Sequence, residues 1–254
     1  MRPLDENRVV GWVRDFTSLL FPAQCAGCGD PLDESVEELG ICAECIGTLR
    51  MEGPSCRGCG QPFAANAQTP PPRDRCLRCA RRDYRFSGVF AAGVYEGRLA
   101  ELVRQAKWLQ HESVATAMGT WLGWELQWRR PCWRWDWVVP VPMLLRRRLV
   151  RGYNQAHAVA AGVAAATGRG ELRPLLWNRR KLGKQGTLSP TERFQNARGA
   201  FGVKTGYALR GARVLLVDDI LTTGATASAA AAELRSAGVR DVRVAVVARA
   251  AGRN

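Results

Sequence analysis

A single stretch constrains the fold of this chain more than any other, because in it an apolar run passes directly into carboxylates, hydroxyls and glycine. The stretch covers Arg213–Ser228 and reads RVLLVDDILTTGATAS. Its apolar run, Val214–Val217, is typical of a strand that is buried on both faces of a parallel sheet. The alanine-rich residues that follow, Ala227–Ala237, predict a helix. The stretch therefore predicts one strand–loop–helix unit of an α/β protein.

The loop of this unit carries the residue types that a sugar phosphate requires. In open α/β sheets, ligands bind beyond the carboxyl ends of the strands, and a helix amino terminus offers free N–H groups to an anion. Thr222–Thr226 adds hydroxyl donors, and Gly224 lets the backbone approach an anion closely. Asp218 and Asp219 can accept hydrogen bonds from ribose hydroxyls and can lie near a Mg²⁺ ion carried by a phosphorylated ligand. We therefore predict a ribose 5-phosphate site; the alternative is an ordinary strand end with Thr226 as a helix cap.

This stretch closely resembles the phosphoribosyl pyrophosphate (PRPP) motif of type I phosphoribosyltransferases. The resemblance implies that Asp218 and Asp219 contact the ribose hydroxyls and take part in catalysis. It also implies that the following loop surrounds the 5′-phosphate. The loop residues are Thr222, Thr223, Gly224, Ala225 and Thr226.

Eight of the nine cysteines form four Cys-x-x-Cys pairs, and this spacing predicts structural zinc. The pairs are Cys25/Cys28, Cys42/Cys45, Cys56/Cys59 and Cys76/Cys79. Each pair presents two thiolates to one tetrahedral ion, so the eight cysteines predict two Zn²⁺ sites. Consecutive pairing is the simplest arrangement, and an interleaved one is also open. A redox role is disfavoured, because no strand–helix pattern surrounds the pairs.

The chain is strongly basic, with a formal net charge of +14, and only four of its 37 basic residues are lysines. This excess of arginine favours polyanionic partners or substrates, although arginine bias can also be a property of a whole genome. No run approaches the ~20 apolar residues that span a bilayer. The amino terminus contains Asp5 and Glu6 and lacks a secretory hydrophobic region. Together with the cysteine spacing, these features predict a cytoplasmic protein.

Six of the nine tryptophans crowd into Trp121–Trp137, with arginines between them. Residues 113–130 have the spacing of a helix, with Trp121, Trp124 and Trp128 along one face. We favour a protein core and its rim as their role; stacking on the bases of single-stranded DNA is the alternative. Cys132 has no partner at metal spacing and is expected to be a small buried side chain.

A second apolar run, Trp137–Pro142, predicts another buried strand, and a helix pattern over 156–166 follows it. A basic loop with four arginines and the backbone N–H groups near Gly152 is predicted between the two, where it would suit a pyrophosphate. These arginines are Arg146, Arg147, Arg148 and Arg151. They could instead form a solvated charge run, but their position after a strand favours the anion site.

Weaker patterns predict the remaining elements. They indicate a short amphipathic helix at 8–21, an exposed loop at 64–75, a strand or hairpin at 86–95, a helix at 99–107 and a strand at 242–247. The long basic segment 178–201 is predicted to be a mobile loop that acts as a lid, with a short helix at 191–197.

Taken together, the sequence resembles the ComF family over nearly its whole length. The resemblance rests on the double zinc ribbon, on VVPVP followed by Arg151–Ala156, on Gln185–Leu188 with Arg193 and Asn196, and on VLLVDDILTTGAT. It implies an α/β fold with a type I phosphoribosyltransferase-like, mainly parallel sheet and flanking helices, preceded by a small double zinc-ribbon module. We expect the amphipathic helix and the ribbons in residues 1–84 and the phosphoribosyltransferase-like domain in 85–254.

Two hypotheses follow, since ComF proteins are associated with uptake and processing of transforming DNA and with use of external DNA as a nutrient. In the first, the chain is a Mg²⁺-dependent phosphoribosyltransferase. A nucleophile attacks C1 of the ribose of PRPP while pyrophosphate leaves near Arg146, Arg151 and Gly152, and the 178–201 loop excludes water. In the second, the chain keeps the PRPP fold but is a non-catalytic accessory that binds nucleic acid. The expected partners are PRPP, single-stranded DNA, and competence or DNA-processing proteins.

Overall fold

The computed structural model of the chain describes residues 23–33, 36, 40–63, 75–80, 82–179, 197 and 199–250. Three predicted elements lie wholly or largely outside these residues: the helix at 8–21, the loop at 64–75 and the basic loop at 178–201. Gln185–Leu188, Arg193 and Asn196 lie outside them as well.

The predicted succession of strands and helices is present in the described residues. The helices are α1 (Ala43–Leu49), α2 (Leu77–Ala80), α3 (Gly97–Gln105), α4 (Glu112–Arg129), α5 (Leu145–Arg151), α6 (Gln155–Thr167) and α7 (Ala225–Ser236), with a 3₁₀ turn at Leu109–His111. The strands are β1 (Gly88–Val94), β2 (Trp137–Pro140), β3 (Glu171–Leu172), β4 (Leu176–Asn178), β5 (Phe201–Val203), β6 (Arg213–Leu221) and β7 (Asp241–Arg249).

Five of these strands form one parallel sheet in the order β1-β7-β6-β2-β3, while β4 and β5 form a separate antiparallel pair. Val214–Val217 of β6 pairs with Trp137–Pro140 of β2 on one side and with residues 242–245 of β7 on the other. From β2 the chain continues outward to β3, whereas from β6 it continues to β7 on the opposite side. The strand order therefore reverses between β2 and β6, and the α/β prediction with a mainly parallel sheet is confirmed.

Helices cover both faces of this sheet, which explains why Val214–Val217 of β6 and the facing residues of β2 are apolar in succession. Val138 and Leu215 lie in the cluster that α4 and α6 cover, and Val139 and Leu216 lie in the cluster beneath α7. All four side chains are fully buried. The helices α4 and α6 pack closely, because a Cβ on Gly162 of α6 would overlap the backbone of α4.

The predicted tryptophan face of α4 is only partly in the core. Trp121 is 1% exposed, whereas Trp124 is 49% and Trp128 69% exposed. The buried face of α4 is instead centred on Met118 and Leu122, both fully buried, and Trp121 lies at its edge.

Two other predictions for this region are wrong. Cys132 is exposed rather than buried, because it lies in the turn after α4 and not within a packed element. The arginines after β2 do not lie on a loop, since residues 145–151 form the short helix α5. This helix ends at Gly152, which has a φ of 83° and so adopts the left-handed conformation that glycine tolerates best.

The cysteine-rich residues pack directly on the sheet and its helices. Cys25, Cys45 and Leu49 share one hydrophobic cluster with Leu99 of α3 and Trp121 of α4. The division of the chain at residue 84 stays a prediction. No helix in the described part of the chain has the length and apolar character that crossing a membrane requires.

Candidate functional site

The reversal of strand order opens a cleft of about 270 Å³ at the carboxyl ends of β2 and β6, the place where open α/β sheets bind ligands. We call it the β2/β6 cleft. From the β6 side it is lined by Asp218, Asp219, Ile220, Leu221, Thr222, Gly224, Ala225, Thr226 and Ala227. From the β2 side it is lined by Val141, Pro142, Met143, Leu144, Arg147, Arg151, Asn154, Gln155 and Ala156, with Lys107, Asn178 and Phe201 completing the wall.

The threonine-rich loop enters α7 through Gly224, whose φ of 81° suits glycine better than any other residue. A Cβ at this position would also lie only 2.8 Å from the ring of Tyr84. Glycine is therefore required both by the backbone conformation and by the neighbouring aromatic ring. The first turn of α7 leaves backbone N–H groups without helical partners at the cleft, which suits an anion.

The two carboxylates lie at the end of β6, as predicted, and their own backbone fixes them. The N–H of Asp219 donates to Oδ1 of Asp218 at 2.9 Å, and the N–H of Ile220 donates to Oδ1 of Asp219 at 2.8 Å. Burial, reinforced by the negative charge of Asp219, raises the pKa of Asp218 well above its usual range. Two adjacent acids in this partly buried position therefore favour a ligand that brings a cation or hydroxyl donors.

The opposite wall holds a chain of polar contacts that the sequence analysis missed. Arg151 donates from Nη1 to Oε1 of Gln155 at 2.7 Å, and Gln155 in turn donates from Nε2 to Oδ2 of Asp219. Gln155 is only 5% exposed. Burial lowers the pKa of Arg151, and the charge of Asp219 acts in the opposite direction. One sequence signal points to these contacts: Asn154 and Gln155 stand at the start of a predicted helix that follows an apolar strand.

Asn154 and Tyr153 hold this wall in place. The side chain of Asn154 caps α6 by accepting from the N–H of Ala156 at 3.2 Å, and it donates to the carbonyl of Val141 at 3.2 Å. Tyr153 donates its hydroxyl to the carbonyl of Ala106, and burial raises the pKa of Tyr153 to about 12. The β2 side of the cleft is therefore fixed by side chains at the start of α6.

Three residues predicted for the site do not line the cleft. Thr223 turns its Oγ1 to the N–H of Ala225, at 3.3 Å, and so closes the loop on itself. Arg146 of α5 and Gly152, which caps that helix, line a neighbouring groove instead. The two arginines of α5 that do line the cleft are Arg147 and Arg151.

The arginines between the tryptophans of 121–137 are occupied within the protein. Arg129 donates to the carbonyl of Met51 at 3.2 Å, and the guanidinium groups of Arg129 and Arg130 both lie 5.7 Å from the centre of the Phe90 ring. Arg134 donates to the carbonyl of Trp133 at 2.9 Å. These contacts favour a structural role for this arginine-rich region over the stacking of bases.

The eight paired cysteines form two groups of four, and the consecutive pairing is confirmed. One group is Cys25, Cys28, Cys42 and Cys45, and the other is Cys56, Cys59, Cys76 and Cys79. Within each group all four sulfur atoms lie within 4.8 Å of one another, which fits one tetrahedral Zn²⁺. We call them the first and the second four-cysteine site.

The two sites are built by the same knuckle. In the first, the N–H of Gly29 donates to the carbonyl of Cys25 at 2.8 Å; in the second, the N–H of Gly60 donates to the carbonyl of Cys56 at 2.7 Å. Backbone N–H groups also point at the sulfur atoms, as from Cys76 to Cys56 at 3.2 Å. The neighbouring Cys59 side chain, followed by these backbone donors, lowers the pKa of Cys56 to about 4. Such donors stabilise the thiolates that bind zinc.

Comparison with known proteins finds matches for both the cysteine-rich segment and the carboxyl-terminal segment of the chain. Residues 16–80 match the family described as Double zinc ribbon domain, and residues 181–254 match the Phosphoribosyl transferase domain family. The DNA utilization protein YhgH of Salmonella typhimurium is 28% identical over 229 residues, which cover 89% of this chain and 96% of that protein. Competence protein F of Haemophilus influenzae is 26% identical over 240 residues, covering 91% and 98% of the two chains. The two domain matches and these relatives together support assignment to the ComF family.

Two solved structures match about half of this chain. The allosteric regulatory enzyme of purine biosynthesis is 28% identical, has a TM-score of 0.36, and matches 52% of this chain but only 26% of its own length. The glutamine PRPP amidotransferase of B. subtilis is 26% identical with a TM-score of 0.35 and the same coverage. Both TM-scores are low, so these structures carry no argument here. The fold assignment rests on the strand order and on the two family matches.

The two four-cysteine sites predict a zinc content of about two ions per chain. Cys56→Ser should lower the content to about one ion and lower the melting temperature, because the ribbon obtains much of its folding free energy from the metal. Cys132→Ser is the matched control, since Cys132 is exposed and belongs to neither group. Metal analysis of the purified proteins checks this; a wild-type protein without zinc, or a loss in Cys132→Ser, would contradict it.

Proposed function

We propose that this ComF-family chain binds PRPP with Mg²⁺ in the β2/β6 cleft and acts in DNA uptake or in the use of external DNA. The observation that carries the proposal is that two carboxylates, a helix amino terminus and two arginines meet in one cleft. The names of the relatives, DNA utilization protein and competence protein, support its connection with DNA. The spacing of the cysteines supports a cytoplasmic place of action.

The 5′-phosphate would bind at the amino terminus of α7. There the free N–H groups and the positive end of the helix dipole meet the hydroxyls of Thr222 and Thr226, which both line the cleft. The ribose hydroxyls would donate to Asp218 and Asp219. Because Gln155 already holds one oxygen of Asp219, that carboxylate is oriented before the ligand arrives.

The donor set of the cleft fits Mg²⁺. Magnesium prefers oxygen ligands and is often held by one or two carboxylates together with the phosphates of a substrate. Burial and the neighbouring charge of Asp219 raise the pKa of Asp218, and a divalent cation beside it would favour its charged form. When bound, the ion would neutralise part of the charge of the pyrophosphate.

The pyrophosphate would lie toward the β2 side, where Arg147, Arg151 and Lys107 line the cleft. In a transfer reaction the bond from C1 to the pyrophosphate oxygen breaks, pyrophosphate leaves with the electron pair, and the nucleophile bonds to C1. The two aspartates could stabilise positive charge on the ribose ring while the arginines hold the leaving group. The cleft thus has the electrostatics that transfer at C1 requires.

The double variant Asp218→Asn with Asp219→Asn should abolish PRPP binding in the presence of Mg²⁺. Each neutral amide is a weaker acceptor for ribose hydroxyls and a poor magnesium ligand, so we expect a loss of about a hundredfold or more. Titration calorimetry measures the affinity. The melting temperature of the unliganded variant should equal or exceed that of the wild type, because the repulsion between the two acids is gone.

The double variant Asp136→Asn with Asp241→Asn makes the same change of charge at the other end of the sheet and should leave the affinity unchanged.

A pH series adds a second readout. Burial and the charge of Asp219 raise the pKa of Asp218, whereas a bound cation favours its charged form; lowering the pH adds a proton that binding must release, so affinity should fall as the pH is lowered. Unchanged affinity in the Asp218 and Asp219 variant would refute this site.

A groove beside the cleft favours nucleic acid as a second ligand. Its volume is about 1190 Å³, and it shares Lys107, Arg147 and Arg151 with the cleft. The other cations among its described lining residues are Arg146, Arg148, Arg179 and Lys204, against one carboxylate, Glu112. Trp108 is 52% and Trp177 46% exposed, and both line the groove. Cations and exposed rings in one groove suit the phosphates and bases of single-stranded DNA.

The double variant Trp108→Ala with Trp177→Ala should weaken the binding of a labelled oligothymidine by about tenfold or more, because stacking contributes about 1–3 kcal/mol per base. Trp124→Ala, with 49% exposure on α4, is the matched control and should bind as the wild type does. Fluorescence anisotropy at several salt concentrations should show affinity falling steeply with salt. A flat salt response, or equal loss in the control, would contradict binding in this groove.

A further inference from the structure

Arg249, the last residue of β7, is a buried charge that PRPP binding does not use. It is 3% exposed, and no described carboxylate lies within ion-pair distance of its guanidinium group. A buried charge of this kind is strongly unfavourable unless hydrogen bonds and opposite charge compensate it. The surroundings of Arg249 supply the hydrogen bonds from two separate parts of the chain.

One side of the guanidinium contacts the second four-cysteine site, and the other side contacts the threonine-rich loop that enters α7. Nε donates to the carbonyl of Cys59 at 2.9 Å. Nη1 lies 2.8 Å from the carbonyl oxygen of Leu221, 2.5 Å from that of Thr222 and 2.6 Å from that of Ala250. Arg249 is therefore a direct bridge from a zinc-binding knuckle to the loop that enters α7.

The second four-cysteine site also supplies compensating charge. Four thiolates around one Zn²⁺ carry a net charge of −2, and Cys56, Cys59 and Cys79 of this site are at most 2% exposed. Because the site is buried, its charge is only weakly screened by solvent. The metal-loaded site therefore stabilises the buried guanidinium that it contacts.

Tyr84 makes a parallel connection. Its hydroxyl donates to the carbonyl of Thr223 at 3.1 Å, and Arg82 donates to the same oxygen at 3.4 Å. The ring of Tyr84 packs on the cysteines of the second four-cysteine site and would contact a Cβ at Gly224. Burial raises the pKa of Tyr84.

These contacts determine which way the loop amides point. The carbonyls of Leu221, Thr222 and Thr223 all face the ribbon side, where Arg249 and Tyr84 hold them. In a trans peptide group the C=O and the following N–H point in opposite directions, and none of the described peptide bonds is cis. The N–H groups of residues 222–224 are therefore turned away from the ribbon.

We propose that Arg249 is a positioning residue through which the second four-cysteine site presents the loop amides to a phosphate. The first four-cysteine site packs on α3 and α4 instead and has no such bridge among the described residues. The proposal rests on the proposed PRPP site, since the phosphate in question is that of the ligand in the β2/β6 cleft. It makes the zinc ribbon part of the ligand site, beyond its role in folding.

The test compares Arg249→Met with Arg129→Met. Both variants replace an arginine that donates to ribbon carbonyls, but Arg129 contacts Met51 and Gly53, away from the loop. Arg249→Met should weaken PRPP binding about tenfold or more and speed amide hydrogen exchange at 221–226, with zinc content unchanged. Arg129→Met should do neither. Arg249→Lys keeps the positive charge but loses the several donors of the planar guanidinium group. It should bind PRPP more tightly than Arg249→Met and less tightly than the wild type.

Equal PRPP affinity and equal loop exchange in Arg249→Met and the wild type would overturn the proposal. If the wild type itself does not bind PRPP, the proposed function fails, while the exchange rates still decide whether Arg249 orders the loop. If Arg249→Met does not fold, Tyr84→Phe decides instead. It removes one hydroxyl and should weaken PRPP binding several-fold with faster exchange at Gly224; no change in either would overturn the proposal.

Discussion

The parallel pairing of β2 with β6 is the constraint on which the rest of this structure depends. It sets Trp137–Pro140 beside Val214–Val217, so both strands end at the same edge of the sheet. Since the chain leaves β2 toward β3 and leaves β6 toward β7, none of the described strands fills the space between the two ends. The residues after each strand therefore face one another across a cleft, and the chemistry of that cleft follows from two short segments that are distant in sequence.

Each wall of the cleft carries an excess of one kind of charge. The β6 side is negative and the β2 side is positive, so the two walls offset each other. Asp218 and Asp219 end one strand, while Arg147 and Arg151 follow the other, and Gln155 connects the two walls through its contacts with Arg151 and Asp219. Burial makes both sides sensitive to a ligand, because charges in this position are poorly screened. A ligand with hydroxyls in its middle and phosphates at both ends matches this sequence of charges. The buried Arg249 connects the threonine-rich loop to the second four-cysteine site, since its guanidinium contacts the carbonyls of Thr222 and Cys59.

Local patterns were sufficient for the sheet, for the strand–loop–helix unit at 213–236 and for the zinc ligands. The apolar runs before Asp218 and before Pro142 are typical of strands buried on both faces, and four Cys-x-x-Cys pairs without a strand–helix pattern around them are typical of zinc ligands. Contacts between distant segments were beyond such patterns. The reach of Gln155 to Asp219 and of Arg249 to Cys59 depends on how β2, β7 and the ribbon pack. The same limit explains Cys132, whose exposure is set by the turn in which it lies.

The central claim is that PRPP is held where β6 passes into α7. A crystal structure of the protein with Mg²⁺ and PRPP at saturating concentration tests this most directly. It should show the 5′-phosphate against the backbone N–H groups of residues 222–226 and the ribose hydroxyls on Asp218 and Asp219. An empty β2/β6 cleft at that concentration, or PRPP bound elsewhere on the chain, would contradict the account.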